Sequence, residues 1–245
     1  MGQGILLSAD SGVDFMIHGV FSYNLFGQQV WITTSHICLL IVVCVLILFF
    51  IAGGMVFRRA KEIPGPLQSA LEIGVEFLDN ISMDALGKNG KGFRNYIGVV
   101  FIFILFSNIS GLLGLRPPTA DYGVTFPLGV ITFTLIQVNK FRFNSIPSIW
   151  KDMCSPLPPW LPLWLPINII SDIAVPISLS LRLFANVLSG TVMMALVYGL
   201  LKWFAVGWPA ALHVYFDLFS GAIQTYVFCM LTVTYISNSI GEEES

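Results

Sequence analysis

Arg182 lies deep in a stretch, residues 153–241, whose only other charges are Asp172, Lys202 and Asp217. A guanidinium keeps its proton at any physiological pH, so this charge is permanent. In the middle of a membrane helix it is too deep to snorkel fully to an interface, and keeping it there costs several kcal/mol on insertion scales. It must therefore face protein or a wet cavity. At 100° per residue, Ser171, Ser178, Arg182, Asn186 and Ser189 fall within about 80° of one another, one polar stripe on an apolar helix. His213, Asp217, Ser220, Gly221 and Gln224 form a comparable stripe further on. Two such stripes on adjacent long helices can line a hydrated path.

Depth orders these groups. Gln224 and Arg182 each occupy the midpoint of their helix, with Asp217 roughly 10 Å toward one side and Asp172 with Ser171 roughly 15 Å toward the other. The alternative is structural: an Arg182 ion pair with Asp172 or Asp217 that locks a helical hairpin. His213, one turn from Asp217, is read either as a proton relay or as a hydrogen-bonded interfacial histidine. Asp121 marks either a channel mouth or a capped helix start, the simpler account. His18 and His36 flank the membrane with no partner evident in sequence.

The elements that carry these residues are set by composition. Of 245 residues 56% are hydrophobic and only 11% charged, with mean hydropathy +0.80. Soluble domains carry about a quarter charged residues, so the chain is predicted to be an all-α integral membrane protein. With 12 Lys+Arg against 14 Asp+Glu, a net charge of -2 gives no electrostatic footprint for nucleic acid. Cys38, Cys44, Cys154 and Cys229 are scattered and read as small core hydrophobes, with neither metal nor redox pairing. Residues 1–14 contain two acids and no Lys or Arg, so they lack the basic start of a signal or transit peptide.

One membrane domain over residues 1–245 is expected. Residues 1–35 form an outer N-terminal segment. Residues 36–57, 95–115 and 122–139 are uncharged runs long enough to cross a hydrocarbon core of about 30 Å. Between the first two, residues 67–86 read as an amphipathic surface helix, with Glu72, Glu76 and Asp79 on one face and Leu67, Ala70, Ile81 and Ala85 opposite. It either packs as a solvated helix on its own protein or docks a partner. A polar, Pro-rich connection precedes two long helices, 167–200 and 208–240, joined around Lys202-Trp203 and Gly207-Trp208-Pro209. Each would be about 50 Å long, well over the hydrocarbon thickness, so both must tilt, bend or run along the membrane.

Positive charges orient the spans. With the N-terminus outside, Arg58, Arg59, Lys61, Lys88, Lys91, Arg94, Lys140, Arg142 and Lys151 fall inside, against Arg116 and Lys202 outside. The acidic Glu242-Glu243-Glu244 tail is then cytoplasmic, in what reads as a bacterial plasma membrane. No phosphate-binding Gly-Lys-Ser/Thr loop, His-Glu-x-x-His or Gly-x-Ser-x-Gly motif occurs, so no hydrolytic site of its own is expected.

The run Pro176-Ile177-Ser178-Leu179-Ser180-Leu181-Arg182-Leu183-Phe184-Ala185-Asn186 resembles subunit a of the F-type ATP synthases. So do Gln224-Thr225-Tyr226-Val227-Phe228, Ser107-Asn108 and Pro118-Thr119-Ala120-Asp121, and the likeness extends over residues 30–240. It implies a non-catalytic stator subunit with no cofactor, set against a rotating ring of c subunits. The b-subunit peripheral stalk and the rest of the synthase would be its other partners. Arg182 would be the essential arginine, Asn186 and Gln224 its polar neighbours toward the ring, and the last two helices the tilted hairpin wrapping it. Two offset half-channels would carry ions, most simply protons, past Arg182, drawing on Asp217 and His213 on one side and Asp172, Ser171 and Ser178 on the other. The sequence departs from the family where many relatives carry His or Glu after the glycine matching Gly190, here Thr191. It also departs before Pro176, where relatives often carry a basic residue and this chain has Val175. A secondary transporter binding an anionic solute at Arg182 is the rival reading, and would require internal repeats and interrupted helices. A scaffold without an ion path is a third.

Overall fold

The computed structural model describes residues 19–25, 28–60, 64–87, 90–113, 115–145, 147–149, 165–201 and 208–240. His18, Lys61, Lys88, Lys151, Cys154, Lys202, Trp203, Gly207 and the acidic tail lie outside these residues, as does most of the Pro-rich connection.

Helix α1 spans Thr34–Arg58, α2 Pro66–Leu86, α3 Gly90–Ile109, α4 Tyr122–Phe143 and α5 Leu165–Leu201. The last span is built of α6 (Trp208–His213), a π-helical segment (Val214–Ser220) and α7 (Gly221–Ile240). Short 3₁₀ turns, Ser110–Leu113 and Pro118–Ala120, link α3 to α4. Five stretches are long and apolar enough to cross a membrane: Thr34–Arg58, Gly92–Leu113, Tyr122–Phe143, Pro166–Leu200 and Ala211–Ile240. The chain is a multi-pass membrane protein of the all-α class.

The helices run past the uncharged runs. α3 begins at Gly90 rather than residue 95, taking in Arg94, whose Nη1 meets Asp79 Oδ2 of α2 at 3.2 Å. Ahead of α1 the backbone forms an antiparallel hairpin, β1 (Gly19–Leu25) with β2 (Gln28–Thr33), pairing Phe21 with Ile32 and Tyr23 with Val30. The N-terminal segment therefore has local structure that the sequence pattern does not announce.

Interior and lipid face separate along each helix. α1 buries only a strip of Ser35, Cys38, Val42 and Leu46, at spacings of three and four. Cys44 is exposed on its outer side, which corrects the expectation that it is a core residue. α2 is also corrected: Leu67 (75% exposed) and Ala70 face outward, while Gln68, Ile81, Ser82 and Leu86 are buried. The reason is its seat across α3 and α7, which aligns the row through Gln68, Leu78 and Ser82 with the bundle instead. Gly87, at φ 52°, ends α2 in a conformation that side chains disfavour.

Lipid tails are as apolar as leucine, so the helices are held by close packing, small residues and hydrogen bonds between them. Ile97, Ile104, Leu183, Phe228 and Val233 are at most 1% exposed and form the centre where α3, α5 and α7 meet α4. Tyr96 and Thr132 share a hydroxyl hydrogen bond of 2.8 Å between α3 and α4. Gly129 of α4 meets α5 so closely that an added Cβ would stand 2.7 Å from the Pro176 carbonyl oxygen. Within α5, Pro176 has no N–H to offer the carbonyl four residues back, that of Asp172.

Candidate functional site

α5 presents two faces. Pro176, Leu179, Ser180, Leu183, Gly190 and Met194 are buried against the bundle, whereas Ser171, Ser178, Arg182 and Ser189 are exposed and Asn186 is half-buried. The polar stripe therefore runs along the lateral, outward side of the subunit. Arg182 has neither an ion-pair nor a hydrogen-bond partner among the described residues. The ion pairs expected as its structural alternative are made elsewhere. Asp172 Oδ2 lies 3.4 Å from Lys140 Nζ, and Asp217 Oδ2 lies 3.2 Å from His213 Nδ1. Each acid has a partner close by, and the guanidinium is left facing out.

The second stripe meets the first at one point, where Ser220 Oγ donates to Asn186 Oδ1 at 2.9 Å. Gln224 lies one turn further on, and its Nε2 is buried without a hydrogen-bond partner among the described residues. An unpartnered buried amide costs about 1–3 kcal/mol, so this donor is one that calls for a partner beyond the described residues.

The π segment sets Asp217. A π turn advances the chain by about one extra residue relative to an α-helix, which rotates α6 about the axis relative to α7. His213 and Asp217 turn toward α5, while Gly221 turns toward α3. Asn108 brackets the junction: Thr119 Oγ1 donates to its Oδ1 at 2.9 Å and its Nδ2 donates to the Gly221 carbonyl at 3.1 Å. Gly221 is required here, since a Cβ would lie 2.8 Å from that of Asn108. Gly111 leaves tight room beside Asp217, whose Cγ is 3.1 Å from the position of an added Cβ.

Two cavities lie at opposite ends of α5. One, of about 480 Å³, is bounded by Arg116, Gly190, Thr191, Tyr198, His213 and Asp217. A separate small cavity of about 10 Å³, which shares Pro117, Gly190 and Asp217 with it, lies among Asn108, Phe216 and Asn186. The Thr191 hydroxyl donates to its own helix at Leu188 O, 2.8 Å away, and the titratable side chains lining this cavity among the described residues are Arg116, Tyr198, His213 and Asp217. The other cavity, of about 430 Å³, is lined by Lys140, Asn144, Asp172, Val175, Tyr235 and Ser239 among others. Arg182 lines neither and stands on α5 between them, roughly 15 Å from Asp172 along the helix.

Residues 37–237 match the model of a family described as ATP synthase A chain. The chain belongs to that family. A subunit a of Propionigenium modestum described as sodium ion specific is 35% identical over 78% of this chain and 70% of its own length. ATP synthase subunit a of Gluconobacter oxydans is 31% identical over 96% and 99%, and that of a Sulfurihydrogenibium species 32% over 76% and 88%. Membership makes this chain a membrane subunit of the ion-translocating sector of an ATP synthase, and the solute-transporter reading falls away.

Within this A-chain subunit, Asp121 caps α4, its Oδ1 accepting from Gly123 N at 2.9 Å, so the simpler account holds. His36, expected without a partner, has its Nδ1 2.6 Å from Thr33 Oγ1. Lys140, expected only to mark topology, turns inward onto Asp172. Nothing in a one-dimensional charge count distinguishes those two roles.

Proposed function

We propose that this chain is the stationary half of a proton path, with the outward face of α5 set against a ring of carboxylate-bearing c subunits. The observation that carries this reading is Arg182, permanently charged, exposed, unpaired among the described residues, and standing between two cavities at opposite ends of its helix. A ring carboxylate is neutral in lipid, where ionisation is prohibitive. Opposite Arg182, with water supplied from a cavity, its ionised form is stabilised and its proton leaves. The Asp217 cavity serves as the outer half-channel and the Asp172 cavity as the inner one, with the N-terminus outside by the positive-inside count. The fixed charge between them repels protons and prevents direct passage. Asn186 and Gln224 then offer hydrogen bonds to the passing carboxyl, while the b stalk holds the subunit still. Catalysis on ATP belongs to the rest of the complex.

The His213–Asp217 pair supports protons as the carried ion, since a His–carboxylate contact of 3.2 Å is relay geometry. Asp217→Asn keeps the shape and removes the carboxylate that can take up and release a proton. Proton transfer in vesicles is expected to fall by about 10²-fold, the low end for loss of a positioned proton-transfer group, while co-purification of the complex stays near wild type. Equal loss of both would make Asp217 structural.

The lateral placement is tested by cross-linking. Ser178→Cys and Ser189→Cys, exposed on either side of Arg182, should form disulfides with cysteines placed beside the ring carboxylate. Failure of both, with cross-links instead from an exposed cysteine at Thr134 on α4, would put the ring on another face.

A further inference from the structure

The inner cavity contains a formal charge pair of its own. Among its lining residues the charged side chains are Lys140 and Asp172, and the rest are apolar or neutral polar groups, the latter including Gln137, Asn144, Tyr235 and Asn238. Lys140 is 17% exposed and Asp172 38%, so the ammonium is the more enclosed partner and the carboxylate the one open to the cavity. The facing helices are α4, α5 and α7. Arg142 of α4 is exposed and does not line the space, and α7 contributes Tyr235 as its titratable group. The position of Lys140 is held from behind. Asn144 Nδ2 donates both to the Lys140 carbonyl at 3.2 Å and to the Ser239 carbonyl at 2.7 Å, tying the end of α4 to the end of α7.

A carboxylate in a wet cavity among amide and hydroxyl oxygens is a ligand set for hard cations. About 430 Å³ is room for a hydrated one. With Nζ at 3.4 Å the cation side of Asp172 is already occupied, and the charges lining the cavity among the described residues cancel. We infer that Lys140 is a specificity-determining residue: it fills the cation side of Asp172 and so keeps metal cations from accumulating in the inner cavity, leaving the way to protons carried by water. The inference rests on the reading that this cavity belongs to the ion path.

The experiment uses the assembled complex in inside-out membrane vesicles, whose inner-cavity side faces the medium. ATP-driven acidification is measured while NaCl replaces N-methylglucamine chloride at constant ionic strength, with assembly monitored by co-purification. Lys140→Gln is expected to be half-inhibited at about tenfold lower Na⁺ than wild type, the scale of one uncompensated charge in a partly wet site. Lys140→Arg should keep wild-type tolerance, and Lys140→Gln with Asp172→Asn should regain it because neutrality is restored. An unchanged Na⁺ response in assembled Lys140→Gln overturns the inference, as does sensitivity that persists in the double variant. Should Lys140→Gln not assemble, Asp172→Asn decides: with the ammonium alone in the cavity it must tolerate Na⁺ at least as well as wild type, and greater sensitivity overturns the inference. Wild-type pumping stimulated by Na⁺ overturns it too. Failure of the underlying reading shows separately, as normal coupled pumping by Arg182→Ala.

Discussion

Arg182→Ala is expected to abolish ATP-driven ion pumping in membrane vesicles while the complex still assembles. The side chain makes no polar contact among the described residues that would hold the fold, so its removal leaves α5 packed through Leu179, Leu183 and Gly190 as before. What disappears, on the proposed mechanism, is the charge that stabilises an ionised carboxylate opposite it. Losing one preorganised charge of this kind costs about 10²–10³-fold in rate. A second consequence has the opposite sign: with the barrier between the two cavities neutral, passive proton leak through the membrane sector should rise. Arg182→Lys keeps a positive charge but one that a low-dielectric site can discharge, so it should lie between wild type and alanine. Coupled pumping at wild-type rate by assembled Arg182→Ala would remove the proposed mechanism and leave a scaffold.

Gly129→Val is the change with the largest expected effect on stability. An added Cβ there lies 2.7 Å from the Pro176 carbonyl oxygen and 3.2 Å from Ser180 Cβ. The nearer of these is backbone, which cannot rotate away as the end of a side chain could. α4 and α5 must separate, at about 1–3 kcal/mol or more for overpacking a close contact. Because the Lys140–Asp172 bridge spans the same pair of helices, the inner cavity should change along with the packing. A lower melting temperature and reduced yield of the detergent-solubilised complex would show it. Gly74→Ala, where no atom lies within 4 Å of the new Cβ, is the control and should be neutral or stabilising by about 0.5–1 kcal/mol. Equal behaviour of the two variants would mean that the α4–α5 approach is not needed.

Much of this is legible in the sequence because the bilayer is a strict solvent. Uncharged runs mark spans, and a charge inside one stands out, which is why Arg182 and both acids can be picked out from sequence alone. The direction in which Arg182 points is not legible. A helical wheel shows that Ser178, Arg182 and Asn186 share a side, but which side packs on the bundle depends on non-local fits such as Gly129 on Pro176. The partner of Asp172 is hidden for the same reason, since Lys140 is 32 residues away in the chain. The wheel drawn through His213, Asp217, Ser220, Gly221 and Gln224 assumes one continuous α-helix, which the π-helical stretch Val214–Ser220 interrupts; Asp217 and Gly221 still border one small cavity beside Asn186, to which Ser220 is bonded. The amphipathic α2 is recognisable by its acids, yet its buried row is displaced from the expected one because it runs through the polar Gln68 and Ser82.

The outward Arg182 also bears on biogenesis. The Pro166–Leu200 span is long enough, and contains an 18-residue stretch apolar enough (mean hydropathy 1.7), to cross a bilayer, while the arginine near its centre costs about 2.5–3.5 kcal/mol on insertion scales. Insertion can thus precede assembly, and the penalty stays with the newly inserted subunit. On the proposed reading it is relieved when a ring carboxylate reaches that face, so that a charge that is a liability to the lone chain would become a driving force for association, with membrane entry first and docking second.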